Sequence, residues 1–138
     1  MKFVLLVLIF LGLFLTGSNA QKQIKPEHST SANKPVIKYG TASYYAKKFD
    51  KRQTANGEIY NSKKYSAACN VLPLGTWIKV TNLKNDKSLV VKINDHLHPR
   101  NKRLIDMSWI AAKDLGYISR GLTRIKIEVF KDFHLARE

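Results

Sequence analysis

The chain has 138 residues, 44% of them apolar and 10% aromatic, and carries 24 Lys and Arg against 10 Asp and Glu, a formal net charge of +14. That length predicts one domain; it is too short for a TIM barrel or a complete dinucleotide-binding fold, and the apolar content is too high for a chain disordered throughout. The single cysteine, Cys69, excludes an internal disulfide and a cysteine-based zinc site.

Lys2 precedes an apolar run, Phe3 to Leu15, broken only by Gly12, and the run leads into Ser18-Asn19-Ala20. This is the pattern of a secretory signal peptide cleaved after Ala20. The run is short for a membrane span of about 20 residues, and no cysteine follows it to carry a lipid, so residues 1–20 predict export without a stable membrane anchor. Export to the periplasm or beyond takes nucleic acid out of reach. The basic surface is then left to polyanionic wall polymers or to solubility. Residues 21–35 are polar, hold Pro26 and Pro35, and read as a flexible segment. The domain is expected over 36–131, with a tail at 132–138.

Strand signals dominate that domain. Val36 to Tyr45 reads as a strand interrupted at Gly40. A helical turn is possible around Asn61 to Lys64. Trp77 to Thr81 is β-rich, and Asn85-Asp86 marks the turn into Leu89, Val91 and Ile93, which alternate with Val90, Lys92 and Asn94. Ser108 can cap a helix over Trp109 to Leu115 that ends at Gly116 in the left-handed C′ position. Ile125, Ile127 and Val129 alternate with Arg124, Lys126 and Glu128 as a final half-buried strand. Many short strands with one or two short helices predict a mainly β, compact barrel.

No nucleophile triad, P-loop or dinucleotide fingerprint occurs. In so basic a chain the acids are informative. Asp95 ends an apolar strand and opens the loop His96-Leu97-His98-Pro99-Arg100, a place from which a rigid element aims a side chain. Asp106 precedes the Ser108 cap, and its structural reading is a carboxylate bonding backbone amides at the helix start. Glu58 follows the turn Thr54-Ala55-Asn56-Gly57, where its structural reading is a surface acid paired to a lysine. Two carboxyl groups in different environments are what glycosidic cleavage requires. Tyr44, Tyr45, Tyr60, Tyr65, Trp77 and Trp109 supply aromatic faces; most are expected in the core and one or two along a sugar groove. Asp95, His96 and His98 alone do not make a metal site, and no cofactor is expected.

Six segments in order carry a resemblance. They are Gly40-Thr41-Ala42-Ser43-Tyr44-Tyr45, Thr54-Ala55-Asn56-Gly57-Glu58-x-Tyr60, and Ala67-Ala68-Cys69-x-x-Leu72-Pro73-Leu74-Gly75-Thr76. After these come Val80-Thr81-Asn82-Leu83, Val90-Val91-Lys92-Ile93-Asn94-Asp95 and Ile105-Asp106-Met107-Ser108, followed by Ala111-Ala112 and Leu115-Gly116. Together they resemble the rare lipoprotein A family of septal-ring lytic transglycosylases, from Tyr39 to Val129. The resemblance implies a six-stranded double-psi β-barrel related to the expansin wall-loosening domain. It implies endolytic cleavage of peptidoglycan glycan strands between N-acetylmuramic acid and N-acetylglucosamine, leaving 1,6-anhydro ends, with a preference for strands without stem peptides. It implies no cofactor, and peptidoglycan strands as the partner; the chain is expected to be a monomer.

By the same resemblance Asp95 and Glu58 occupy the catalytic positions, and Tyr44, Thr41, Asn94 and Asp106 are substrate-binding or supporting. Cys69 stands where the family has a functional histidine. A thiol is mostly neutral at pH 7 and a weak donor, so it cannot supply an imidazole's charge. His96 and His98 are the candidates to compensate in space. The alternative reading is a non-catalytic, expansin-like module that binds or loosens the wall.

Overall fold

The computed structural model describes residues 34–129. The expected signal peptide at 1–20, most of the expected 21–35 segment, the last residues of the expected 36–131 domain and the expected 132–138 tail lie outside the described residues. No helix among the described residues is long and apolar enough to cross a membrane.

Six strands form a closed barrel: β1 (Val36–Tyr44), β2 (Ser66–Ala68), β3 (Trp77–Asn82), β4 (Ser88–Asp95), β5 (Ile105–Met107) and β6 (Thr123–Val129), in the spatial order β1-β5-β2-β4-β3-β6. The β1–β5 and β2–β4 pairs are parallel and the other four antiparallel. Closure removes the unpaired edges that an open sheet of short strands would expose.

Alternation fills the barrel. Ile78 and Val80 from β3, Val91 and Ile93 from β4, Ile105 and Met107 from β5, and Ile125 and Ile127 from β6 are fully buried in one cluster with Ala42. Helix α1 (Trp109–Asp114) adds Ala111 and Ala112, and Leu115 and Tyr117 follow it into the same core. Leu115 is the C-cap and Gly116 takes φ 77°, the left-handed conformation foreseen for it.

Several details differ from expectation. Ser108 precedes α1 but its side chain does not cap it; its Oγ accepts the Ser66 amide at 3.4 Å, tying the helix start to β2. Asn61 to Lys64 forms a turn closed by Lys64 N–H on the Asn61 carbonyl rather than a helix. The second short helix is a 3-10 turn at Lys47–Phe49. Strands β2 and β5 have three residues each, too few to show a period. Gly40 does not interrupt β1. A Cβ there would lie 2.5 Å from Leu104 Cβ, so the glycine admits the 96–104 loop against the strand.

Candidate active site

Asp95 is aimed by a bulge. Ser66 and Ala67 of β2 pair with Lys92 and Ile93, but Ala68 pairs with Asp95, so Asn94 is the extra residue. A bulge re-aims the side chains beyond it. Here Asn94 turns inward, 4% exposed, and Asp95 reaches the surface of a cavity. The carbonyl freed at Asn94 accepts the Asn56 amide at 3.2 Å, fastening the 54–58 turn over the strand end.

On its other side Ala68 pairs with Asp106 of β5. One small residue therefore separates two carboxylates. Two strand spacings put their Cα atoms about 10 Å apart. Both line a cavity of about 620 Å3, walled by Tyr44, Tyr45, Phe49 and Tyr60 and bordered by His96 and His98.

Donors hold both oxygens of Asp95. The Ala55 and His96 amides bond Oδ1 at 2.9 Å each, and the Tyr45 hydroxyl bonds Oδ2 at 2.7 Å. Burial, followed by the bond to Asp95, pushes the Tyr45 phenol far above its ordinary value, so it stays a proton donor. The Tyr45 ring stacks on Tyr60 with centroids 4.5 Å apart. Asp106 does not bond backbone amides at the helix start, as the sequence suggested. It takes a two-pronged contact from Arg103, Nε to Oδ1 at 2.8 Å and Nη2 to Oδ2 at 2.9 Å, because a planar guanidinium three residues away matches a carboxylate fork better than scattered amides do.

Glu58 faces elsewhere. It lines a second depression with Ile59, Asn61, Lys64, Tyr65 and Trp77. Lys92 Nζ lies 2.5 Å from its Oε1, and Asn94 Nδ2 donates to its Oε2 at 3.0 Å. These bonds, Lys92 first and Asn94 second, lower its pKa to about 2. Glu58 is therefore a fixed carboxylate at the pH of a cell wall, and it reaches the Asp95 strand end through Asn94. Its structural reading, pairing with a lysine, is realised.

Cys69 is fully buried in the core cluster, and burial raises its thiol pKa. The thiol side chain does not line the cavity. Its backbone does take part: the Cys69 amide donates to the Asp95 carbonyl at 3.0 Å, and its carbonyl sits 3.2 Å from His96 Nδ1. A carbonyl only accepts, so Nδ1 carries the proton and Nε2 is the acceptor of the neutral ring. Thr41 lies outside the cavity, in an adjoining depression, and its carbonyl accepts the Leu104 amide at 2.9 Å.

The sequence profile of the family described as Lytic transglycolase matches residues 37–127. The chain belongs to this family. The Haemophilus influenzae protein named endolytic peptidoglycan transglycosylase RlpA is 48% identical over 104 residues, which are 75% of this chain and 35% of that one. The Pseudomonas aeruginosa protein of the same name is 47% identical over 89 residues, 64% of this chain and 26% of its own length. The chain thus spans about a third or less of these relatives. The fold has solved counterparts. The Streptomyces papain inhibitor matches with a TM-score of 0.57 at 20% identity, covering 70% of this chain and 96% of that one. The Clavibacter michiganensis expansin matches with a TM-score of 0.58 at 18% identity, covering 70% and 52%. Both share the barrel.

Within the lytic transglycolase barrel the sequence pattern singles out Tyr44 but not Tyr45 as a supporting residue. Tyr44 ties its hydroxyl to the Ile118 carbonyl at 3.0 Å, while Tyr45, one position past β1, bonds Asp95. Arg103 went unnamed in the sequence reading; its i, i+3 spacing from Asp106 is the signal that could have found it. Of the aromatic residues singled out, Tyr44, Tyr45 and Tyr60 line the cavity and Tyr65 and Trp77 the second depression, so fewer are core than expected.

Proposed function

We propose that this chain is an exported lytic transglycosylase acting as a monomer in the bacterial cell envelope. It cleaves peptidoglycan strands endolytically between N-acetylmuramic acid and N-acetylglucosamine, with a preference for strands free of stem peptides. The observation that carries the reading is Asp95, anchored by three donors at the wall of an aromatic-lined cavity. The relatives' named activity agrees with it.

In this reading the protonated Asp95 carboxyl gives its proton to the glycosidic oxygen as the C1–O bond breaks. The muramic C6 hydroxyl oxygen then bonds to C1, and its proton passes to the Asp95 carboxylate. Atoms balance without water, and Asp95 returns to its starting form, acting first as acid and then as base. The Tyr45 hydroxyl and the two amides keep the carboxyl group in place through both steps. Asp106, paired with Arg103, holds the 96–104 loop. Glu58 is a positioning residue: through Asn94 it fixes the bulge that aims Asp95. His96 Nε2 offers an acceptor to a sugar hydroxyl beside Asp95.

Mass spectrometry of the soluble products from amidase-stripped glycan strands tests this reading. Anhydro-ended fragments, each one water lighter than a hydrolytic end, are the expected result. Hydrolytic ends would make the protein a glycosidase. Retained binding with no products would make it the expansin-like binding module.

A further inference from the structure

The depression that holds Thr41, of about 570 Å3, adjoins the Asp95 cavity. His98, Asn101 and Arg103 line both, and Thr41, Arg100, Lys102 and Leu122 complete the depression. No acid lines it. Arg103 is committed to Asp106. Arg100 and Lys102 are exposed and have no acidic partner among the described residues.

The chain is basic throughout, so unpaired cations alone mean little. Their mounting and their place distinguish these two. The 96–104 loop is held along its length. Leu97 is 6% exposed and its amide donates to Asn70 Oδ1 at 2.8 Å. The Asn101 amide closes a turn on the His98 carbonyl at 2.8 Å, and the Arg103 amide bonds Asn101 Oδ1 at 3.0 Å. The Arg100 amide donates to His98 Nδ1 at 3.2 Å, which leaves Nε2 as the ring's donor in the neutral form. Leu104 then ties to β1 through the Thr41 carbonyl at 2.9 Å. Such a loop loses little conformational freedom when a ligand arrives. Leu122, 51% exposed, adds an apolar wall beside the cations.

Cationic donors, a hydroxyl and one aliphatic face, continuous with a sugar-sized cavity, fit a short branched carboxylate on a saccharide. We propose that this depression is the subsite for the free lactyl carboxylate of N-acetylmuramic acid: Arg100 and Lys102 take the carboxylate and Leu122 the lactyl methyl. The proposal rests on the peptidoglycan reading above and adds the group by which the strand is recognised. A lactyl group already joined to a stem peptide has lost that charge to an amide, so this subsite favours bare strands.

Equilibrium binding separates this from the cleavage reading. The purified Asp95→Asn protein is titrated with bare strands, with the same strands whose lactyl carboxylates are capped as methylamides, and with strands bearing intact stem peptides. Capping is expected to weaken binding about tenfold, the scale of one charge-assisted contact, and stem-peptide strands are expected to bind like capped ones. Adding Arg100→Gln and Lys102→Gln should abolish the preference. A charge-matched control, Lys63→Gln with Lys113→Gln on other surfaces, should keep it, which separates a local site from bulk charge. Equal binding of bare and capped strands, or a preference that survives loss of Arg100 and Lys102, overturns the proposal. Tight binding of stem-peptide strands overturns it in favour of the peptide's own carboxylates. Should the unsubstituted protein release no anhydro ends while the preference stands, the cleavage reading fails and the subsite remains.

Discussion

Each carboxylate of interest differs from the others in what holds it. Asp95 is held by two amides and a phenol, Asp106 by a guanidinium, and Glu58 by an ammonium and an amide. The Glu58 pKa is lowered to about 2, and Lys92 is the main cause. A carboxylate with a lowered folded-state value adds stability above its ordinary range, and that stability is lost as pH falls toward about 2. The Glu58 side chain is 44% exposed, so solvent screening limits the pair to roughly 0.5 kcal/mol. Lys92→Met should therefore move the Glu58 titration midpoint up from about 2 toward the ordinary carboxylate range, with little loss of stability. Carbon-13 NMR of the side-chain carboxyl reads this directly; a midpoint that stays near 2 would show that Lys92 is not the cause.

At the scale of elements, buried polar side chains join pieces that short strands alone would hold poorly. Asn82, 2% exposed at the end of β3, donates to the Leu115 carbonyl at the end of α1 at 2.8 Å. Its Oδ1 accepts from Thr123 Oγ1 at the start of β6 at 2.7 Å and from the Lys84 amide at 3.1 Å. Asn82→Ala strands several buried groups and should cost about 3 kcal/mol, measured by urea unfolding; a change below about 1 kcal/mol would mean that water replaces the amide. The long strands and the helix were legible in the sequence because alternation and the Gly116 stop are strong local signals. Strands β2 and β5 were not, since three residues carry no period and their pairing partners are remote in sequence. The site followed the same division. Asp95 was legible at a strand end, but its alignment with Asp106 across Ala68 depends on strand order and on a one-residue bulge. Neither is written in local sequence. The placement of Glu58 in a separate depression has the same cause: the loop following Gln53 bridges back to it at Ile59 before the chain returns to the barrel.

Over the whole molecule, the net charge of +14 and the closed barrel have different tasks. Under the proposed function the barrel fixes the positions of the groups that move the proton, and the basic surface supplies an attraction for polyanionic wall material. Attraction of this kind weakens with added salt, whereas a site aimed by a bulge does not loosen. Binding to strands should therefore fall with ionic strength more steeply than the rate of cleavage from the bound state. The most direct test of the account compares the unsubstituted protein and Asp95→Asn on amidase-stripped strands, following anhydro-ended products by mass spectrometry and strand binding in parallel. Asp95→Asn should bind strands like the unsubstituted protein and release anhydro ends at least about a hundredfold more slowly, as loss of a general acid–base group requires. Release at the unsubstituted rate would contradict the account, because no other group in the cavity has been given the proton.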